Sequence, residues 1–351
     1  MVQEQLLATP KLTLEELPAE IIQEIFLRCV DINLPRASIH LARALSNPII
    51  YRWLLRLSFS KAWCRATDHG GTEFFTRHFL PPHAIVGTLT PDELTHLRTR
   101  ILECRWCTLP LIRSVQAEFL QQVFTYKRTD MIVLPKDRLL IAEFEKWFNN
   151  LDSCDKASNG KRGRGDLRLR ANRWDHRFDK SIPESAHDYN VTVWFDPGII
   201  EITPNAGGSC RVEGKDAFEF PACDNTLLPN RLLRAPWTQG QLDFLRLLST
   251  KALLDIDVNY DRASRTLRSL IHRRDFATFA RLLDLYVLIQ GNKSPVIWPS
   301  PNAVFRTALR YAGDDDPFVR LLVEERWTHI HPEDLVLKER LLTKMLSWGR
   351  L

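Results

Sequence analysis

The chain has 351 residues, of which 44% are hydrophobic and 26% are charged, with a net charge of +5. This composition is ordinary for a globular protein and excludes global disorder, and the length suffices for two or three domains. No stretch approaches the roughly 18 uninterrupted apolar residues of a membrane span, and the acidic N-terminal region predicts neither a secretory signal nor a mitochondrial presequence. The seven scattered cysteines are typical of a reducing compartment, so we expect a protein of the cytosol, the nucleus or both.

The first predicted element is an amphipathic helix between Leu14 and Val30, after a short frayed tail. Its apolar residues recur at the spacing of one helical face. Pro18 falls in the first turn, where a missing N–H does no harm. Asp31 and Asn33 are expected to end this helix. The apolar face consists of Leu17, Ile21, Ile22, Ile25 and Phe26.

Further helices are predicted as far as residue 148. Residues 36–66 are expected to be helical, with an interruption at Ser46–Pro48, where an N-cap signal and a proline coincide. Thr90 and Pro91 mark the start of a helix that runs to about Leu102. Two more amphipathic helices are predicted over 111–126 and 139–148.

Basic residues are concentrated between Lys156 and Lys180, where nine Lys or Arg and three Asp give a net charge of +6. The other 326 residues therefore sum to about −1. We predict a flexible loop for this stretch because 152–173 has almost no core-forming residues. The loop is a solvated segment, a nuclear localisation signal or a weak contact for nucleic acid or an acidic partner. Its basic patch comprises Lys161, Arg162, Arg164, Arg168, Arg170 and Arg173.

A β-hairpin is predicted next, because VTVWFDPGIIEITP alternates like a strand and turns at Asp196–Gly198. Residues 229–236 are then expected to be a linker.

The last third of the chain contains an internal repeat, F-x-R-L-L, which begins at Phe244, Phe279 and Phe318. The spacings of 35 and 39 residues predict stacked helix pairs, with an irregular helical bundle as the alternative. Residues 266–272 and 302–311 would supply the first helices of two pairs.

Residues that could carry chemistry do not form a recognisable catalytic motif. Cys104 and Cys107 make a single C-x-x-C, for which buried thiols, a zinc site and a redox pair are the alternatives. Asp314–Asp316 is better explained by helix capping than by cation binding. His329 and His331 are expected on an exposed loop. We therefore expect no enzyme, no resident metal and no cofactor.

The segment Leu17–Phe26 resembles the opening of the F-box, L-P-x-E-[IL]-[IL]-x-x-I-[FL]. The resemblance implies a three-helix module that binds the Skp1 adaptor of cullin-type ubiquitin ligases. The implied contact residues are Leu17, Pro18, Ile21, Ile22, Ile25 and Phe26. The last helix departs from the family's V-C-R-x-W pattern, because this chain reads HLARALSNPIIYRWLLRL there. Through INLPRAS and CRWCTLPLIR, the region up to about Phe148 is also similar to fungal F-box-like proteins of unassigned function.

The expected fold class is mainly α, with an F-box-like helical module, a small central β-hairpin and C-terminal helix-pair repeats similar to ankyrin repeats. The expected parts are an F-box-like segment (1–66), a helical extension (67–150), a basic flexible loop (151–180), the hairpin and linker (181–235) and the helical repeats (236–351). This organisation predicts a substrate receptor that binds a Skp1-like adaptor and an unidentified target protein. We expect no small-molecule substrate, no membrane partner and no nucleic acid. The alternative function is a helical-repeat scaffold or regulatory protein without a link to ubiquitin.

Overall fold

A computed structural model of the chain describes residues 13–63, 79, 89–129, 131–133, 167–173, 188–204, 216–255, 261–292 and 294–349. These residues are mainly helical, with small sheets. The chain divides into two compact units. The first comprises Met1–Ile101 and Pro110–Pro221, and the second comprises Leu102–Leu109 and Ala222–Leu351. The units are thus interleaved along the sequence.

The helices that begin in the first unit or run into it follow the sequence prediction closely. They are α1 (Ala19–Cys29), α2 (Leu34–Ala37), α3 (Ile39–Leu45), α4 (Pro48–Phe59), α5 (Pro91–Glu103) and α6 (Leu109–Thr129). A short 3-10 helix, Leu14–Glu16, precedes α1. The predicted helix over 139–148 lies outside the described residues.

Local capping explains where these helices begin and end. The Ser38 hydroxyl accepts a hydrogen bond from the Leu41 N–H at 3.2 Å, and the Asn47 side chain accepts one from the Ile49 N–H at 2.9 Å. Both bonds satisfy N–H groups that a helix start leaves without intrahelical partners. Val30 ends α1 in the left-handed conformation, with φ of 50°. The predicted break before Pro48 is confirmed, but the helical prediction for 36–66 is wrong beyond Phe59, where residues 61–63 form a strand.

Six strands of the first unit form one antiparallel sheet in the order β1-β6-β5-β4-β3-β2. The strands are β1 (Lys61–Trp63), β2 (Met131–Val133), β3 (Leu167–Arg173), β4 (Asp188–Trp194), β5 (Ile199–Pro204) and β6 (Asp216–Glu219). The predicted hairpin is confirmed as β4 and β5, in the register Val191↔Ile202 and Val193↔Ile200. Two predictions are corrected here. The hairpin belongs to a larger sheet, and 167–173 is a paired strand rather than a flexible loop.

One face of this sheet supplies part of the hydrophobic core. Val193, Ile200 and Phe218 are at most 2% exposed, and Ile200 pairs with both of the others. The Phe220 ring, just after β6, lies 6.5 Å from that of Phe59 on α4 and 5.7 Å from that of Phe119 on α6. Because apolar burial is the dominant favourable term in folding, these contacts fix the sheet against the helices.

The second unit is built from helix pairs joined by short strands. Its helices are α7 (Gln239–Ser249), α8 (Asp261–Arg273), α9 (Phe276–Leu283), α10 (Asn302–Tyr311), α11 (Pro317–Arg326) and α12 (Leu335–Ser347). Its strands are β7 (Leu253–Leu254), β8 (Tyr286–Ile289) and β9 (Val296–Ile297). β7 and β8 are parallel, and β8 and β9 antiparallel.

The three F-x-R-L-L motifs lie on α7, α9 and α11, so the prediction that they are helical is confirmed. Phe244, Phe279 and Phe318 are each at most 2% exposed, and the last leucine of each motif is completely buried. The Phe279 and Phe318 rings lie 5.0 Å apart, at 66° to each other. α8 packs against α9 and α10, and α11 packs against α9 and α10. The phenylalanine and the last leucine of each motif are therefore core positions of the second unit.

The predicted linker at 229–236 is partly wrong. Asn230–Leu233 is a 3-10 helix, and Leu232 and Leu233 are each 2% exposed. The Thr266 hydroxyl of α8 donates a hydrogen bond to the Leu233 carbonyl at 3.1 Å. This segment is therefore packed into the second unit. In the described part of the chain, no helix combines the length and the apolar character that a membrane span requires.

Candidate functional site

In the described part of the chain, helix α1 buries apolar residues on one side and leaves apolar residues of the other side partly exposed. Ile22 is completely buried, and Phe26 and Leu27 are at most 7% exposed. Ile21 is 42% exposed, and Ile25 is half-buried. An apolar arc wider than the core needs leaves part of the helix surface available to a second protein.

The buried side of α1 is held by its contacts with α3. Leu41 and Leu45 of α3 are nearly completely buried, and the two helices pack together. The Gln23 side-chain amide donates a hydrogen bond to the Ala44 carbonyl at 2.8 Å. This bond satisfies an acceptor at the C-terminal end of α3 and sets the rotation of α1, because a polar group at a helix interface needs its partner.

The six residues implied by the F-box resemblance are consequently divided between the two sides. Pro18 and Ile21 are exposed, and Leu17 and Ile25 are half-buried. Ile22 and Phe26 face the core, so they support the helix and are not free to contact a partner. The part of the set that is accessible is Leu17, Pro18, Ile21 and Ile25.

Two other exposed isoleucines lie on the following helices. Ile39 at the start of α3 is 72% exposed, and Ile49 near the start of α4 is 53% exposed. Sequence reasoning did not include them among the predicted contact residues. The helical periodicity carried the needed signal, since in α3 the buried positions are Leu41 and Leu45, which do not share a face with Ile39.

A groove of about 430 Å³ lies between the end of α1 and the first half of α5. Its apolar lining includes Val30, Ile32 and Leu97. Asp92 and Glu93 stand on the α5 side. Hydrogen bonds from the Thr90 N–H and hydroxyl lower the pKa of Glu93, so this carboxylate is engaged in capping α5.

The predicted basic patch is only partly within the described residues. Lys161, Arg162 and Arg164 lie outside them. Arg168, Arg170 and Arg173 are residues of β3, which pairs with β2 and β4. The backbone of this half of the patch is therefore ordered by the sheet.

Cys104 and Cys107 occupy the turn between α5 and α6, where the Cys107 N–H donates to the Cys104 carbonyl at 3.1 Å. Cys107 is completely buried, and burial raises the pKa of its thiol to about 12, although the neighbouring Arg231 acts in the opposite direction. A thiol with so high a pKa is a poor nucleophile at neutral pH. Across the described residues, no group of three or more His, Cys, Asp or Glu is arranged to hold a metal ion.

The acidic and histidine motifs have structural partners. Asp316 caps α11 by accepting hydrogen bonds from the Phe318 N–H at 3.0 Å and the Val319 N–H at 3.3 Å, which confirms the capping interpretation. His329 lies in a 3-10 helix and is half-buried, with its Nδ1 2.8 Å from the Ser300 hydroxyl, so the exposed-loop prediction is wrong for it. Burial and the charge of Arg326 lower its pKa.

Comparison with known proteins identifies no relative: no family model, no curated protein and no solved structure matches the chain.

Proposed function

We propose that the chain is a non-catalytic adaptor. Its N-terminal helices bind a Skp1-like protein of a cullin-type ubiquitin ligase, and its C-terminal helix pairs bind the protein to be modified. The observation that carries the first half of this proposal is the exposed side of α1. It combines the Leu-Pro start of the F-box pattern with an isoleucine that is 42% exposed.

The physical basis is recognition of apolar anchors on one side of a helix. Each buried aliphatic side chain contributes about 1.5–3 kcal/mol when it leaves water. Pro18, Ile21 and Ile25 follow the spacing i, i+3 and i+7, which places them along one stripe of the helix. The buried side, with Ile22 and Phe26, keeps the stripe rigid, and rigid anchors lose less conformational entropy on binding.

The second half of the proposal is supported by the helix pairs of the second unit. We interpret α8–α9 and α10–α11 as two degenerate ankyrin-like repeats, with the motif phenylalanines in their shared core. Stacked helix pairs present an extended surface whose side chains differ from repeat to repeat, which suits them to protein binding.

The experiment that tests this function is a binding measurement between the full chain and a purified Skp1-family protein. Ile21→Asp should weaken binding by about tenfold or more, because it removes apolar burial and places a carboxylate in the interface. Isothermal titration calorimetry gives the dissociation constant, and circular dichroism verifies that the variant is folded.

Leu335→Asp is the matched control, since Leu335 is 68% exposed and lies on α12 of the second unit. It introduces the same charge at an exposed aliphatic position and should leave binding unchanged. If a folded Ile21→Asp variant binds the Skp1-family protein as well as the wild type does, the adaptor proposal is wrong. The chain would then be better described as a scaffold without a ubiquitin link.

A further inference from the structure

In the two helix pairs of the second unit, positive charge is concentrated on α8 and α10, the first helix of each pair. α8 contains four arginines and one aspartate, and α10 contains two arginines and no acidic residue, so together they have a net charge of +5. The second helices of the pairs, α9 and α11, contain three arginines and two glutamates and sum to +1. Within each pair, the first helix therefore carries more positive charge than the second.

These two helices lie side by side, and their C-terminal ends meet. The ring of His272 at the end of α8 is 4.3 Å from that of Tyr311, the last residue of α10. The Arg274 guanidinium donates a hydrogen bond to the Tyr311 carbonyl at 3.4 Å. Arg273 and Arg310 are the chain neighbours of these contacting residues and are both exposed. We call the arginines of these two packed helices the arginine face: Arg262, Arg265, Arg268, Arg273, Arg306 and Arg310.

Among the described residues, two carboxylates form ion pairs with the arginine face. Asp261 pairs with Arg265 at 3.0 Å, and Asp334 pairs with Arg306 at 2.7 Å. The two arginine side chains remain 60% and 64% exposed, so these pairs are weak surface interactions.

We propose that the arginine face binds an acidic peptide segment of a partner protein. All six cations are arginine, whose planar guanidinium forms paired hydrogen bonds with a carboxylate. A nucleic acid fits less well, because stacking of bases needs several exposed aromatic side chains and these two helices offer only Tyr311. The proposal deepens the second half of the adaptor function, on which it rests, by naming the chemistry that the helix pairs recognise, and it requires no Skp1-family protein.

The test is fluorescence anisotropy of the full chain with a labelled peptide in which glutamate alternates with serine and leucine. A second peptide with glutamine in place of every glutamate measures the contribution of charge. The Glu peptide should bind and the Gln peptide should not, and added salt should weaken binding because exposed charges are screened. Arg273→Gln combined with Arg310→Gln should weaken binding of the Glu peptide by about tenfold, as expected for two lost surface ion pairs.

Arg320→Gln combined with Arg340→Gln is the matched control, because it removes the same charge from α11 and α12 of the same unit. It should change binding by about twofold or less, since it leaves the arginine face intact. A single Arg268→Gln variant provides an independent test in the middle of α8 and should also weaken binding. Circular dichroism establishes that each variant is folded.

The proposal is overturned if the Glu peptide does not bind, or if both double variants weaken binding equally. It is also overturned if single-stranded DNA binds through the arginine face and the Glu peptide does not, since the face would then recognise nucleic acid. None of these outcomes bears on the Ile21→Asp experiment, so the two proposals can fail separately.

Discussion

Ile21 and Ile22 are chemically identical neighbours with opposite environments. Ile21 is 42% exposed, whereas Ile22 is completely buried. In a helix, consecutive side chains point about 100° apart, so one faces the core of the first unit and the other faces outward. The F-box pattern treats both as equivalent aliphatic positions, and the structure places them in different environments.

This division predicts different losses of stability. Ile22→Ala should lower the free energy of unfolding by about 2–5 kcal/mol, the usual cost of an aliphatic-to-alanine change in a core. Ile21→Ala should lower it by less than about 1 kcal/mol, because most of that side chain is already in water. Urea denaturation followed by circular dichroism measures both values. Equal losses for the two variants would show that α1 is packed differently.

At the scale of elements, the turn between β4 and β5 brings several parts of the first unit together. Gly198 has φ of +68°, and a Cβ atom there would lie 1.9 Å from the Phe220 carbonyl oxygen. The Gln116 side-chain amide of α6 donates to the Phe220 carbonyl at 3.0 Å, and Arg113 pairs with Asp196 in the same turn. A sheet turn, a helix and the end of β6 thus meet at one glycine.

Gly198→Ala should therefore destabilise the first unit by about 2 kcal/mol or more, because both the backbone conformation and the contact with Phe220 oppose a side chain. Gly240→Ala is the matched control, since a Cβ in this helix α7 position would meet nothing within 4 Å. It should leave stability unchanged or raise it by up to about 1 kcal/mol. The melting temperatures of the two variants and the wild type, measured by thermal unfolding, test this prediction. A Gly198→Ala variant as stable as the wild type would contradict the close contact between this turn and Phe220.

For the whole molecule, the notable feature is that Leu102–Leu109 belongs to the second unit, far from the rest of it in sequence. Arg231 accounts for this placement. Its Nε donates to the Leu102 carbonyl at 2.7 Å, and its guanidinium also donates to the Cys107 carbonyl. The neighbouring Asn230 N–H donates to the Glu103 carboxylate at 2.6 Å. The segment is therefore a structural part of the unit formed by Ala222–Leu351.

Arg231→Met should accordingly destabilise the second unit by about 2–4 kcal/mol, since it leaves two carbonyl groups without their charged donor. The control Arg234→Met replaces an exposed arginine three residues away and should have little effect. Hydrogen exchange read by mass spectrometry locates the change, which should appear in 102–109 and in the 3-10 helix at 230–233. Unchanged protection in both segments would refute this account.

Local signals in the sequence were sufficient to predict most of the secondary structure. The N-cap and proline at Asn47–Pro48, the helix start at Thr90–Pro91 and the turn at Asp196–Gly198 all act within a few residues, so they can be recognised without the fold. The F-x-R-L-L motifs were likewise recognisable, because a helix repeats its buried positions at a fixed spacing.

Only the tertiary structure decided how these elements pair. The three-residue strands β1 and β2 have no periodicity to detect, and the arginine-rich β3 forms a strand because its backbone is paired on both sides. The same holds for α1: the sequence determined that this helix has an apolar face and the order of residues along it. The packing of α1 against α3 decides which residues of that face remain exposed to solvent, because burial depends on two packed surfaces and not on one helix.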